Sequence, residues 1–466
     1  MSNTLLAPAP WAEEQFASAE LGDRRRTKRL VNIATNLAEN PSGTLPQAFP
    51  EWAELKGAYR FLDQPKVSYE QIQAPHWERS RAECCQPGEY LVVEDTTGLD
   101  FTGHPAAPDL GVIGDGRGRG FHLHSSLALR VEGWTAEQRP EVTVVGLVGQ
   151  QCICPRPAPK GEKRSQRAYR RRQSERWAAE LLAMDKPSAG CRWIYIADRE
   201  SDIYEPIQQL KRREWDFIIR SCQDRRLGGK RRHLRETIAR APVQGVINVE
   251  LRARPGQAAR TAIVEVRSQA LSLAGPWRPG GRQPDFTVNV IDVSEVNAPA
   301  DVAKPLHWIL LTSLPCGTWI ELQQVVGRYA SRWLIEEYHK AVKSGTTVEE
   351  SQLERGYRLE TLIAILAIVA LRLLNTKLLA RSKPDEAVKA GEFDPEALAI
   401  LTAKYGEPNG GWTNASLLVT MARLGGFLAR KHDGMPGWQT IWRGWHRLMT
   451  MCQGLDILNQ TAERCG

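Results

Sequence analysis

The chain has 466 residues, with 62 Lys and Arg against 54 Asp and Glu, a formal net charge of +8 and 42% hydrophobic residues. This balance fits a folded globular protein of several domains and excludes disorder, a collagen-like repeat and a small disulfide-knit scaffold. Its nine cysteines show no zinc-finger spacing, and the longest apolar run, Leu362 to Leu371, is about half of the ~20 residues that span a bilayer. The start, Met1 to Pro10, lacks the basic and apolar order of a secretion signal, so the expected compartment is a reducing cytoplasm with no membrane partner.

From Trp11 to about Ile72 the spacing of Leu21, Leu30, Ile33 and Leu37 predicts a small helical module with a turn at Asn40 to Gly43. It carries the first of three basic clusters, Arg24, Arg25, Arg26, Lys28 and Arg29. The second places nine Lys and Arg against two Glu between 156 and 176, and the third comprises Arg225, Arg226, Lys230, Arg231, Arg232 and Arg235. Any one such run is as readily a solvated face, but three together favour a polyanion, because neutralised phosphates release condensed counterions.

From Tyr90 the pattern changes to short apolar runs, Tyr90–Val93, Phe121–Leu129, Val142–Val148 and Trp193–Ala197, which predict buried strands of a sheet covered on both faces. Glycines 111, 114, 116, 118 and 120 predict a flexible hairpin loop between the first two. After an amphipathic stretch near Ile203 to Leu210, alternation at Ile247, Val249, Leu251 and Ala253, then at Ala262, Val264 and Val266 and at Phe286, Val288 and Val290, predicts an antiparallel block with one wet face. Trp308 to Leu311 is another apolar run; Leu322 to about Leu379 is predominantly helical. A linker at Ser382 to Pro384 leads to a helical C-terminal region, where Trp438, Trp442 and Trp445 form a stripe that suits a core or an interface.

Two carboxylates follow apolar strands, Asp95 after Leu91-Val92-Val93 and Asp198 after Ile194-Tyr195-Ile196-Ala197. On neighbouring strands they would lie side by side and suit a hard divalent cation, although a lone strand-end Asp is more often a cap. Farther on, Tyr329, Arg332, Glu336, Lys340 and Lys343 are spaced 3, 4, 4 and 3, which predicts one polar helical face. Such a face is either solvated, with i,i+4 pairs such as Glu336 with Lys340, or an active-site face of one carboxylate flanked by cations and a phenol. His122 with His124 and Cys152 with Cys154 alternate on strands, a weak hint of zinc; Asp202 and Glu337 read as caps or outer neighbours of the acids.

The string Tyr329-x2-Arg332-x3-Glu336-x6-Lys343 resembles the signature of a subgroup of bacterial insertion-sequence transposases of the Asp-Asp-Glu (DDE) class. Glu94-Asp95-Thr96-Thr97 and Asp198-Arg199-Glu200-Ser201-Asp202-Ile203 resemble its two aspartate motifs, and similarity extends from Ala19–Arg25 through Gly57–Phe61 to Ala422–Phe427. The resemblance implies an α/β fold: an RNase H-like core, a mixed sheet flanked by helices, over 71–380, with an inserted antiparallel β subdomain at about 225–305. A helical end-binding domain over 1–70 and a helical dimerisation domain over 381–466 complete it. It further implies that Asp95, Asp198 and Glu336 hold two Mg²⁺ ions, with Mn²⁺ as a substitute, for strand nicking, hairpin formation at transposon ends and strand transfer. Tyr329, Arg332, Lys340, Lys343 and Arg220 then contact end DNA, Trp308 stacks on a flipped base, and the N-terminal module, with Arg24, Arg25, Arg26, Lys28 and Arg60, recognises the ends. The partners implied are double-stranded DNA and a second copy of the chain. Alternatives are a catalytically silent DNA-binding derivative and another RNase H-like nuclease; the full acidic set argues against the first, the Tyr/Arg/Glu/Lys string against the second.

Overall fold

The computed structural model describes residues 7–104, 106–155, 161, 184, 186–229, 231–251, 259–278, 280–389, 393–430 and 432–465. The basic run 156–176, apart from Gly161, lies outside these residues, as do Lys230 and the Arg252 to Arg254 part of the predicted alternation.

The N-terminal module is helical, with α1 (Pro8–Phe16), α2 (Arg24–Glu39), α3 (Leu45–Ala48), α4 (Trp52–Leu62) and α5 (Tyr69–Glu83). Asp23 caps α2 by accepting from the Arg25 amide. Leu30, Ile33, Ala34 and Leu37, one turn apart, are buried, so this face holds α2 in the module. Three consecutive arginines occupy the first turn of α2 with no acid inside that turn, the charge order a helix dipole disfavours, and the capping Asp23 pairs with Arg25 at 2.9 Å.

Ten strands then form one mixed sheet. β1 (Gly88–Asp100), β2 (Gly111–Ile113), β3 (Gly118–Trp134), β4 (Pro140–Ile153), β5 (Cys191–Ala197) and β6 (Asp216–Arg220) come first, with α6 (Tyr204–Arg212) between the last two. β7 (Val243–Leu251), β8 (Arg260–Leu273), β11 (Phe286–Glu295) and β12 (His307–Thr312) follow α7 (Leu234–Ala239), while β9 (Trp277–Arg278) and β10 (Gly281–Arg282) form a separate small hairpin. Across the sheet the order is β2-β3-β1-β5-β6-β12-β11-β8-β7, with β4 also on β3. The β1–β5 and β5–β6 pairs are parallel and the rest antiparallel. The alternating block therefore does not stand apart: through β12 it extends the same sheet.

The glycine-rich stretch is partly strand, not a loop throughout. Gly114 and Gly116 turn at positive φ, whereas a Cβ at Gly120 would stand 1.9 Å from the Leu99 carbonyl oxygen on β1, so close strand contact requires glycine there.

The helical stretch from residue 319 is divided. α8 (Trp319–Ala330) ends at Ser331, α9 (Trp333–Lys340) restarts at once, and a single π turn, Ala341–Gly345, precedes α10 (Gly356–Ser382). α10 is long and apolar enough in composition to cross a membrane, yet 89% of its most apolar stretch is buried inside the protein. It is the central core helix, packed on α2, α4, α5, α9, α12 and β4. α11 (Pro395–Tyr405), α12 (Asn414–Leu424) and α13 (Trp438–Cys465) close the chain.

The tryptophan stripe of α13 is core: Trp442 and Trp445 are 1% and 2% exposed, and the Trp445 indole donates to the Ala38 carbonyl of α2 at 2.8 Å. These indoles are spent inside the chain and supply no contact to a second copy.

Candidate functional site

β1 and β5 run parallel with Glu94 beside Ala197, so Asp198, just past the end of β5, comes beside Asp95, which lies within β1 where that strand runs on to Asp100 paired with β3 alone; the expected strand end at Asp95 is not there. This is the crevice outside the carboxyl ends of parallel strands, where open α/β sheets bind ligands. α9 lies against β1 and brings Glu336 to the same place.

Arg332 joins the acids. Its guanidinium donates to Asp95 Oδ2 at 2.9 Å and also to Glu336 Oε1, and its side chain is 13% exposed. Asp198 has its own partners: the Tyr329 hydroxyl donates at 3.4 Å, and Arg220 Nη1 stands 3.6 Å away. Trp308, half-buried on β12, sets its ring edge-to-face on Tyr329 at 5.0 Å. The structure thus brings together Asp95, Asp198, Glu336, Tyr329, Arg332, Arg220 and Trp308.

Electrostatics mark this cluster as strained by burial. Desolvation pushes the Asp95 carboxyl up despite the nearby Arg332 charge. Burial alone would pull Arg332 down, but Asp95, then Tyr329, Glu336 and Asp198, hold it above its usual value. Burial, followed by the Asp198 charge, pushes the Tyr329 phenol up. At neutral pH Tyr329 is therefore a neutral donor and Arg332 a fixed cation.

The predicted single polar face does not hold as one helix. Tyr329 ends α8, Arg332 lies in the break, and Lys343 sits in the π turn. The Glu336–Lys340 pair is not formed: Arg332 takes Glu336, and Lys340, 57% exposed, lies 3.2 Å from Glu337. Glu337 is buried and also paired with Lys377 of α10 at 3.2 Å, which makes it part of the helix packing. Lys343 donates to the Gly98 carbonyl at 2.9 Å and lies 3.4 Å from Glu349. The π turn is held by contact between Gly345 and Trp442, since a Cβ at Gly345 would lie 2.2 Å from the indole nitrogen. Such one-turn π segments concentrate at functional sites.

Asp202 is a structural anchor. Fully buried, it accepts from Ser221 Oγ at 3.1 Å, the Cys222 amide at 2.9 Å, the Gln223 amide at 3.1 Å and Arg225 Nε at 3.1 Å. Arg225 is thereby internal and not part of a basic surface. Arg24, Arg25, Lys28 and Arg60 are exposed on α2 and α4, Arg25 against Asp23 at 2.9 Å, while Arg26 donates to the Leu21 carbonyl at 2.9 Å. Among the described residues, no contact links these five to the acids.

Two features went unassigned in the sequence. Glu200, in the turn after Asp198, is pushed up by burial and by the Asp95 and Asp198 charges, which places it in their company. On the opposite face of the sheet, Glu94 is 2% exposed, hydrogen-bonded by Tyr195 of β5 and 2.8 Å from His124 of β3. Tyr195 also reaches Ser201 at 3.0 Å, so this buried group ties three strands and the Asp198 turn together. Adjacency to the aspartate motifs was the available signal in both cases. Among the described residues, His122, Cys152 and Cys154 join no metal-holding group, and no three His, Cys, Asp or Glu side chains converge on one ion position. At Asp95 and Glu336 the positive charge between the carboxylates is Arg332 itself.

Two family models match the chain. One, described as transposase DNA-binding, covers residues 8–67, the helical module with the arginines of α2. The other, described as a transposase DDE domain, covers residues 170–372, from before β5 through most of α10 and including Asp198 and Glu336.

Proposed function

We propose that this chain, a DDE transposase by its two matched domains, performs cut-and-paste transposition through an RNase H-like core whose acids are Asp95, Asp198 and Glu336. A DDE transposase is a metal-dependent enzyme that cleaves DNA and transfers strands. The observation that carries the residue assignment is the position of Asp95 and Asp198, each one residue beyond the Glu94–Ala197 pair of parallel β1 and β5, with Glu336 tethered to Asp95 through Arg332.

The donor set is all carboxylate oxygen, which suits a hard divalent cation, and we assign Mg²⁺. The guanidinium bridging Asp95 and Glu336 supports this, because two partly exposed carboxylates are gathered around one positive charge. When bound, two such ions activate the attacking oxygen and stabilise the leaving oxygen of an in-line phosphoryl transfer. With the acids holding such ions, Arg332 would be released from Asp95 and Glu336 and would be free to hold a DNA phosphate, with Tyr329 and Lys343. Tyr329, held neutral, donates to a phosphate oxygen; Arg220 and Lys340 add charge at the rim.

Water attacks the phosphodiester at the transposon end, expelling the 3′-oxygen as a hydroxyl. That hydroxyl attacks the opposite strand to close a hairpin, with Trp308 stacked on a displaced base. Water reopens the hairpin, and the 3′-hydroxyl displaces a 3′-oxygen in target DNA. This order is the one the resemblance to the Tyr/Arg/Glu/Lys subgroup implies, and the string Tyr329, Arg332, Glu336 and Lys343 supports it.

Two copies acting on paired ends suit this chemistry, and Met451, Leu455 and Leu458, 37%, 39% and 66% exposed at i, i+4 and i+7 of α13, supply an apolar face for the contact. The expected place of action is the bacterial cytoplasm, on the nucleoid. The test is a duplex carrying the element's terminal inverted repeats, labelled on each strand in turn and resolved on a denaturing gel. Mg²⁺-dependent nicks followed by a hairpin-length product, both abolished by EDTA, are expected. Binding without any cleavage would instead identify a silent DNA-binding derivative.

A further inference from the structure

Residues 225–240 carry seven Lys and Arg against one Glu, a net +6 in a chain whose total is +8. With Arg225 taken inward by Asp202, the exposed arginines are Arg226, Arg231 and Arg232 of a tight hairpin and Arg235 and Arg240 of α7. The hairpin is a rigid mount: the Leu227 amide donates to the Arg232 carbonyl at 3.0 Å, and the Gly228 amide donates to the Ser272 carbonyl of β8 at 2.8 Å. Arg240 pairs with Glu236 and Arg235 donates to the Cys222 carbonyl, whereas among the described residues no carboxylate pairs with Arg226, Arg231 or Arg232. Three unneutralised guanidiniums on a fixed hairpin are not explained by folding.

Their place relative to the acids is informative. Arg220, beside Asp198, is six residues from Arg226, a contour of at most about 20 Å. The N-terminal module reaches the sheet through α5 on β4, while α7 packs on β8 and β11 at the far side, with the acid-bearing β1 and β5 between. Two basic elements thus lie on either side of the acid-bearing strands in the order of the sheet.

We propose that the 226–240 hairpin and helix form a second DNA surface, distinct from the end-binding module, which holds target duplex across the acids through phosphate contacts without reading sequence. It rests on the transposase reading given above, which already requires two DNA segments at one set of acids. Exposed guanidiniums on a hairpin supply charge for the phosphate backbone and carry no sequence information. The same phosphate chemistry could come from the element's own flanking DNA, and the test separates the two.

The affinity of the full-length protein is measured in EDTA against salt concentration. Three duplexes serve: a random sequence, an end repeat stopping at the terminal nucleotide, and an end repeat with flank attached. Wild type is compared with Arg226, Arg231 and Arg232 all changed to Gln, and all changed to Lys. For the Gln protein on random duplex, the slope of log K against log salt should fall by about 2.7, roughly 0.9 per phosphate, with binding weakened on the order of tenfold to hundredfold at 0.15 M. The Lys protein should keep the wild-type slope, and the terminal end repeat should bind all three proteins alike. A fall seen only with the flanked end keeps the surface and assigns it to flanking DNA. An unchanged slope on every duplex, an equal fall on the terminal repeat, or a Lys protein as impaired as the Gln protein overturns the proposal. Because EDTA prevents chemistry, a failure of the cleavage reading leaves this result standing by itself.

Discussion

Asp202 offers the sharpest stability test, because one side chain satisfies a buried cation and two backbone amides at once. Asp202→Ala leaves Arg225, 8% exposed, without its counter-charge and the Cys222 and Gln223 amides without an acceptor. Breaking a buried pair by removing one partner costs about 3–5 kcal/mol, so a loss of about 4 kcal/mol is expected. Asp202→Asn keeps an acceptor but not the charge and should lose about half as much. Adding Arg225→Ala to Asp202→Ala removes the orphan charge and should recover about 1–2 kcal/mol, a coupling that a double-mutant cycle isolates. Urea unfolding followed by tryptophan fluorescence reads these proteins together with the Arg225→Ala single variant that closes the cycle, and the cleavage rate of the Asp202→Ala variant should fall further than its DNA affinity, since the turn bearing Asp198 loosens. An Asp202→Ala protein within 1 kcal/mol of wild type, or a double variant no better than the single, would refute the reasoning.

Other perturbations probe separate parts of the account. The Glu360 carboxyl is pushed up to about 7 by burial and by Glu70, so its neutral form's contribution is fully present below about 4.5 and lost as pH rises through 7. Glu360→Gln should therefore match wild type at pH 4 and, after allowance for partial exposure, exceed it by about 1–2 kcal/mol at pH 8 in thermal melts. Gly345→Ala drives a methyl into the buried Trp442 ring, which should cost about 1–3 kcal/mol and slow cleavage by displacing Lys343; an unchanged melting temperature would show that the π turn yields freely. Trp308→Ala should spare nicking but slow hairpin closure by about 5- to 150-fold, the worth of one lost stack, as timed gels would show.

The strands bearing the acids were legible because buried parallel strands are written as unbroken apolar runs; Ile194-Tyr195-Ile196-Ala197 does stop at Asp198, whereas β1 runs past Asp95 to Asp100 on pairing with β3 that the run Leu91-Val92-Val93 does not announce. The helical N-terminal module was equally plain from its 3.6 spacing. Less was visible where a single residue has two possible partners. Spacing alone pairs Glu336 with Lys340, but the break at Ser331 and Arg332 turns the guanidinium back onto Glu336 and Asp95. Likewise the tryptophans of α13 were apolar on any reading, and only the long-range contacts of Trp445 with α2 and of Trp442 with the π turn decide that they are core. Arg225 looked like one more surface cation because its partner, Asp202, lies 23 residues away in sequence. Periodicity records which face is apolar; it does not record which distant charge a side chain meets.

The central claim is that Asp95, Asp198 and Glu336 act as one set, and single-turnover cleavage of a labelled transposon end in Mg²⁺ tests it most directly. Asp95→Asn, Asp198→Asn and Glu336→Gln should each bind the end duplex as wild type does yet fall to the level of the EDTA control. Cleavage at the wild-type rate by any one of the three would contradict the account.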